Sequence, residues 1–382
     1  MQEHFIFLHV LNVYDSLLLM TTLLSFLLAL PLFLKRDRQT SDLLLAFFLI
    51  SQGLLLFMTV MYYSAVIGPY TAELLFPFQS FPKIILTGIQ GLLLLWYARA
   101  MMGKPLDIDS KLTWICGFSA VLFCSFSYMT AITGVKLQWF TIACFWGLSF
   151  FATFTGIYAL KLMRDYDKSL PFRFSNTERR NLSWLRWTAG GLVFVWGMRL
   201  TASILYSFEI KFVADIISIS SNIPPLFLMS AMVVYSQTHA INTVFRPKES
   251  DTQEQEEVAS ISFNPKHTSH LEDLMIRIKV YQDPELRLEG LADSMDISPR
   301  TLSSLLNKHY KKNFYDYVNY YRVLDAQDQL VSVANSEKSI QRIFEDAGFN
   351  SKTTFNTLFK KHTGQTPSEF RKRALQQRRV IG

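Results

Sequence analysis

The stretch "LEGLADSMDISPRTLSSLLNKHY", residues 288–310, carries two apolar patterns of helical period on either side of a short polar break. Leu288, Leu291, Ala292 and Met295 line one short helix. Asp296-Ile297 makes the turn, and Ser298 caps a second helix with Pro299 at its first position, where the missing N–H costs nothing. In that second helix Leu302, Leu305 and Leu306 face inward, leaving Arg300, Thr301, Ser303, Ser304 and Asn307 outward. Two short helices joined by a tight turn, with a polar outer face on the second, suit insertion into a major groove.

Upstream, "HLEDLMIRIKVYQD" (270–283) sets Leu271, Leu274, Met275 and Ile278 on one face of a helix, which Asp283-Pro284 ends. Downstream, "NFYDYVNYYRVLDAQDQLVSV" (313–333) predicts a long helix with Phe314, Tyr317, Tyr321, Leu324 and Ala326 among its apolar positions. The opening pattern then recurs in "SIQRIFEDAGFNSKTTFNTLFKKHTGQTPSEFRKR" (339–373). Ile340, Ile343 and Phe344 form an inner face, Gly348 supplies a left-handed turn residue, and Phe349 plugs the core. Ser351 caps a helix burying Phe355, Leu358 and Phe359, and Pro367 starts a last one.

These residues carry a resemblance. The stretches "LADSMDISPRTLSSLLNKHYKKNFYDYVNYYRVLDAQDQL", "SIQRIF" and "AGFNSKTTFNTLFKKHTGQTPSEFRK" resemble the DNA-binding domain of the AraC/XylS family of bacterial transcription regulators. The combination of Gly348-Phe349, Ser351, Phe355, Phe359-Lys360, Gly364, Thr366-Pro367 and Arg371 is what makes the match specific. Two positions depart from the family's habit: Phe344 stands where a small residue is usual, and Asp296 where the first turn usually has Gly. The resemblance implies two recognition helices entering successive major grooves about one turn (~34 Å) apart. It assigns base reading to Arg300, Ser303 and Ser304 in the first unit, and to Lys352, Thr353, Asn356 and Thr357 in the second. Arg300 suits a bidentate contact to guanine and Asn356 to adenine, each worth roughly 1–3 kcal/mol of discrimination. Lys308, Lys311, Lys312, Lys360, Lys361 and Arg371 are the phosphate-neutralising candidates. The implied partners are double-stranded promoter DNA, RNA polymerase and a second copy of the chain.

The remainder of the 382 residues is of another kind. The formal charge of +7 and mean hydropathy of +0.18 average two unlike regions. Residues 1–246 hold 18 Lys or Arg and 12 Asp or Glu, while 247–382 hold 20 and 19 in little more than half the length. Seven apolar stretches approach the ~20 residues that cross a bilayer: 16–34, 43–67, 81–102, 112–132, 139–162, 187–208 and 214–236. Several are edged by aromatic residues, including Trp96, Tyr97, Trp139, Trp187 and Tyr235, as suits the headgroup level. With the N-terminus outside, thirteen Lys or Arg fall on the inner side, from Lys35 to Arg186, against Lys83, Lys136 and Lys211 outside. The C-terminal region is then cytoplasmic.

Within the bundle, Arg199 is an ionisable residue at membrane depth and hence a candidate sensor position. Asp215 and Asn222 lie on the next span within its reach; a ligand site and an interhelical polar lock are both open there. Pro224 and Pro225 must interrupt that span's hydrogen-bond ladder, as a hinge or a static kink. Cys116, Cys124 and Cys144 fall inside spans and read as small apolar fillers. No phosphate-binding glycine loop, zinc spacing or nucleophile elbow occurs, so neither enzyme chemistry nor a cofactor or metal is expected.

The sequence therefore predicts an all-α chain. Residues 1–246 form a seven-helix transmembrane domain in the cytoplasmic (inner) membrane, and 247–262 an acidic linker in which Lys248 faces Glu249, Asp251, Glu254, Glu256 and Glu257. Residues 263–382 form a cytoplasmic domain of two helix-turn-helix units joined by a long helix. The expected activity is one-component transcription regulation under a small-molecule or membrane signal, with a transporter or channel fused to a regulator as the rival reading.

Overall fold

The computed structural model describes residues 13–63, 80–104, 106, 114, 138–178, 180–238, 265–335 and 337–381. Their regular structure is helical, with one isolated antiparallel bridge, Phe174 to Arg287, and no strand among them. The contacts divide the chain into two units, Met1–Tyr166 with Leu182–Pro247, and Asp167–Asn181 with Lys248–Gly382.

The first unit holds α1 (Val13–Leu34), α2 (Thr40–Tyr63), α3 (Ser80–Met101), most of α4 (Gln138–Arg173), α5 (Ser183–Ser207), α6 (Lys211–Ser220) and α7 (Pro224–Thr238). Among the described residues, four helical stretches are long and apolar enough to cross a membrane: Tyr14–Leu34, Thr40–Met61, Ser183–Ser207 and Lys211–Ser236. Ile85–Met101 is a shorter apolar helix. The predicted span 112–132 lies outside the described residues, as do Cys116, Cys124 and the linker 247–262.

The exterior of these helices is apolar, with Met20, Leu23, Phe154, Trp187, Phe194 and Phe227 all exposed. The interior also carries polar groups, and several of them pair across helices, since an unpaired one in a dry core is costly. Gln90 donates to Gln52 at 2.9 Å and accepts from the Trp196 indole at 3.2 Å, tying α3 to α2 and α5. Gly91 lets α3 approach α4: a Cβ there would fall 2.3 Å from Thr155 Oγ1 and 2.7 Å from Ala152 Cα. Tyr97, expected at a headgroup boundary, is instead buried in the bundle core, packed with leucines from its own and neighbouring helices.

The second unit is built from α8 (Pro265–Asp273), α9 (Leu288–Ser294), α10 (Pro299–Lys308), α11 (Phe314–Val331), α12 (Ile340–Asp346), α13 (Lys352–Thr363) and α14 (Pro367–Ile381). α8 runs into a single π turn at Leu274–Ile278. The wider turn shifts the register, so Leu271, Leu274 and Met275 are buried but Ile278, expected on the same face, is exposed. Lys279 then takes a left-handed conformation (φ 57°) that turns the chain into Val280–Gln282.

The helix pairs α9–α10 and α12–α13 have closely matched turns. Ile297 N–H donates to Ala292 O at 3.1 Å, and Phe349 N–H donates to Phe344 O at 2.9 Å. Asp296 (φ 53°) and Gly348 (φ 89°) occupy the same left-handed place, which an aspartate tolerates better than most residues. The second turn carries one extra residue, Asn350, before its cap. Ser298 and Ser351 cap α10 and α13 by accepting from Thr301 N–H (3.1 Å) and Thr354 N–H (3.3 Å).

Each pair has its own core on α11. Phe314, Tyr317 and Val318 join Leu288, Leu291, Leu302, Leu305 and Leu306. Val323, Ala326 and Leu330 join Ile343, Phe344, Phe355, Leu358 and Phe359. Phe344 fits because it stacks on Phe355 (centroids 5.6 Å apart, planes at 29°), within a run of rings that includes Phe349 and Phe359. Leu324, expected among the apolar positions of α11, is 38% exposed.

Asp325, on α11, accepts hydrogen bonds from Lys279 Nζ (2.8 Å), Tyr281 Oη (3.2 Å) and Gln329 Nε2 (2.8 Å). Burial pushes its carboxyl up, but the bonds from Lys279 and Gln329 outweigh burial and hold it below its ordinary 3.8. The folded state thus binds this proton more weakly than the unfolded chain. The stabilisation is full above pH ~3.8 and is lost as the pH falls through the folded value. Asp325→Asn is expected to destabilise the second unit at pH 7, with the difference from wild type shrinking below pH 4 in thermal melts. Gly348→Ala is the more severe change, since its Cβ would meet Tyr281 O at 2.5 Å and Gln282 Cα at 2.9 Å, both backbone atoms. A loss of about 2 kcal/mol or more is expected, read as accelerated proteolysis of the second unit.

Candidate nucleic-acid interface

The outer faces of α10 and α13 hold the residues expected to read bases. On α10, Arg300 is exposed and Ser303 is half-buried, its hydroxyl accepting from Asn307 Nδ2 at 3.3 Å. Ser304 differs from its expected outward placement: its Oγ is enclosed and has no partner among the described residues. Ser304 adjoins Leu305, which is buried, and its hydroxyl lies at the edge of that face. On α13, Lys352, Thr353 and Thr357 are exposed and Asn356 is half-buried. The two helices therefore present Arg300 and Ser303 on one side and Lys352, Thr353, Asn356 and Thr357 on the other.

The expected phosphate contacts fall into two groups. Lys308, Lys311, Lys360 and Lys361 are exposed cations. Lys312 lies over the Tyr320 ring at 3.6 Å from its centroid, and Tyr320 meets the His362 ring edge-on at 5.9 Å. Burial lowers the pKa of Lys312. Burial, then the neighbouring Lys361 and Lys312 charges, lower that of His362, so these cations share one positive field. Arg371 departs from the expectation of a free phosphate contact. Its Nη2 donates to Lys338 O at 2.8 Å and its Nε is buried, so it ties α14 to the turn before α12.

In the first unit, Arg199 Nη2 donates to Asn222 Oδ1 at 3.2 Å, and Asn222 Nδ2 donates to Tyr14 Oη at 2.7 Å and to Ser218 O at 3.0 Å. Asp215, expected as a partner within reach, is exposed. Arg199 Nη1 is buried without a partner among the described residues. Pro224 and Pro225 do more than kink the span. They open a new helix, α7, after a break at Ser221–Ile223 in which Ser221 and Asn222 are buried. Proline at a first helical turn loses no hydrogen bond, which is why the break falls just before it.

Sequence reasoning missed one feature of the second unit, the buried guanidinium of Arg322 on α11. It is 1% exposed and donates to Tyr281 O (2.7 Å), Asp283 O (2.7 Å), Ser175 O (3.3 Å), Ser175 Oγ (3.1 Å) and Asn319 Oδ1 (3.3 Å). Burial lowers its pKa to about 10, leaving it charged at neutral pH. A signal existed: Arg322 stands four residues from both Val318 and Ala326, on the buried stripe of the helix.

Two capped helix pairs, each displaying a polar face on its second helix, lie around a shared central helix in the second unit. Residues 291–373 match the family of helix-turn-helix domains of the AraC/XylS type, and the C-terminal part of this chain is such a domain. It is similar to an uncharacterized transcriptional regulatory protein, YesN, of Bacillus subtilis (strain 168). The two are 32% identical over 111 residues, 28% of this chain and 30% of that protein. It is also similar to the regulatory protein PocR of Salmonella typhimurium (strain LT2), 28% identical over 122 residues, 32% of this chain and 39% of that protein. The chain thus spans about a third of the length of these curated relatives. A solved structure of a protein of unknown function from Listeria innocua matches 28% of this chain and 97% of its own, at 28% identity and a TM-score of 0.25.

Arg300→Ala is expected to lose sequence discrimination by roughly 1–3 kcal/mol, whereas Lys361→Ala should weaken binding uniformly and flatten the salt slope by about one unit. Gel-shift titrations at several salt concentrations separate the two.

Proposed function

We propose that this protein is a membrane-bound, one-component transcription regulator. Its second unit binds promoter DNA through two helix-turn-helix units, and its first unit is a seven-span sensor with the N-terminus outside. The observation that carries the reading is the joining, in one chain, of an AraC/XylS-type domain to helices long and apolar enough to cross a membrane. Relatives named as regulators support the DNA-binding half. The four membrane-length helices and the thirteen-to-three bias of Lys and Arg support the other.

On this reading, bases are read by Arg300 and Ser303 in one groove and by Lys352, Thr353, Asn356 and Thr357 in the next. Lys308, Lys311, Lys360 and Lys361 track the phosphates, and Ser304 contributes only if the first turn of contacts draws it outward. The residues 247–262 serve as a spacer. Arg199, Asn222 and Tyr14 form the polar lock whose state the signal sets, and the break before Pro224 is where the last span yields. RNA polymerase and a second copy of the chain are the further partners of a regulator of this type.

The test is a genome-wide map of DNA cross-linked to the full-length protein. Discrete sites, each with two contacted tracts about one helical turn apart, are expected. The protein should stay in the membrane fraction through alkaline carbonate extraction. Cross-linking spread evenly over the chromosome, or release by carbonate, would overturn the reading.

A further inference from the structure

The segment Asp167–Asn181 comprises the last turns of α4 and the link to α5, yet by its contacts it groups with the DNA-binding domain. Phe174 pairs as a bridge with Arg287, and Ser175 N–H and Oγ donate to Leu286 O at 3.4 and 2.8 Å. Phe174 and Ser175 are buried, at 5% and 2% exposure. The Phe174 ring is covered by the Arg180 guanidinium at 4.3 Å. Ser175 O also accepts from Asn319 Nδ2 at 3.2 Å and, with its own hydroxyl, from Arg322. The last turns of α4 and the non-helical residues from Phe174 thus form a strap, seated in a groove whose floor is α11 and whose rim is the residue run 286–287.

The strap reaches the second recognition helix. Arg180 is buried against Glu285, Nη2 to Oε2 at 2.9 Å, and Glu285 Oε1 accepts from Asn350 Nδ2 at 3.1 Å, next to the cap of α13. Glu178 accepts a hydrogen bond from the Thr354 hydroxyl, in the first turn of α13. The neighbouring Lys352, Thr353, Asn356 and Thr357 are the base-reading candidates. A helix N-terminus in a DNA groove is where phosphate oxygens are favoured, through its free N–H groups and dipole. The docked strap sets a carboxylate there instead. Arg180 is paired with Glu285, and Glu178 sets its carboxylate against α13. Only Leu182 separates the strap from α5, a helix of membrane-crossing length.

We propose that Asp167–Asn181 is a displaceable strap, a built-in partner of the DNA-binding domain, whose docking lowers the affinity of the second recognition helix for DNA. This rests on the DNA-binding reading above. Movement of α4 against α5 would pull Ser175 from Arg322 and carry Glu178 off α13, so a change in the bundle reaches the DNA face without a second messenger. Coupling of this kind typically changes affinity by about 5–150-fold.

The test uses the full-length protein in native membranes, with Cys116, Cys124 and Cys144 replaced by serine and with Phe174→Cys and Arg287→Cys introduced across the bridge, which leaves Glu178 in place. A short reducible cross-linker spans the pair. Retention of a random-sequence duplex of about four helical turns is then measured before and after reduction, at low salt where phosphate contacts dominate. Efficient cross-linking is expected, with duplex binding at least about fivefold weaker in the cross-linked state than after reduction. Separately, Arg180→Glu should raise duplex affinity and Glu285→Arg in the same chain should reverse the gain. Absence of cross-linking overturns the docking. Cross-linking with equal, measurable binding in both states overturns the gate alone. Cross-linking with no duplex bound in either state overturns the DNA-binding reading and the gate with it.

Discussion

The guanidinium of Arg322 is the constraint on which the second unit depends. A buried cation is tolerated only where fixed acceptors replace its water, and here five contacts do so, three of them to backbone carbonyls. Those carbonyls belong to Tyr281, Asp283 and Ser175, so one side chain fixes the turn after α8 and the strap at once. α11 also carries both hydrophobic cores, and its orientation sets the separation of α10 and α13. Any rearrangement that moves Ser175 must leave the charge short of acceptors or let water in. Those contacts hold Ser175 in its place on α11.

The same logic, in milder form, runs through the first unit. Helices surrounded by apolar exteriors gain little from burying more apolar surface, so polar contacts and close approach by small residues do the specifying. The Gln52–Gln90–Trp196 chain and the α3–α4 approach at Gly91 are of this kind. Arg199, Asn222 and Tyr14 form a second polar cluster, at the place where α6 gives way to α7 before Pro224.

Much of the second unit was legible from residue spacing. Ser298, Ser351 and Pro299 marked helix starts because capping is a local interaction, decided within four residues. Asp296 and Gly348 were marked as turn residues for the same reason, and both take positive φ. Legibility failed where the outcome depended on residues far along the chain. Ile278 is exposed because a π turn intervened. Arg371 is tied to Lys338 O, and the Ser304 hydroxyl is enclosed. Arg199 found Asn222 where Asp215 had also stood within reach. Phe344, which breaks a family habit, is accommodated by stacking on Phe355, and no local pattern announces that.

By itself the sequence determined that this chain is helical, that its apolar and charged residues are segregated into two regions, and that its C-terminal part carries the capped, paired helices of an AraC/XylS-type domain. Periodicity, capping and charge density are short-range properties, so they can be read without coordinates. Only the tertiary structure decided that Asp167–Asn181, which by sequence is a basic loop between two apolar stretches, packs with the domain more than a hundred residues away. That contact is made by backbone carbonyls and one buried guanidinium. Backbone acceptors are the same at every residue, so sequence cannot say which of them Arg322 will choose.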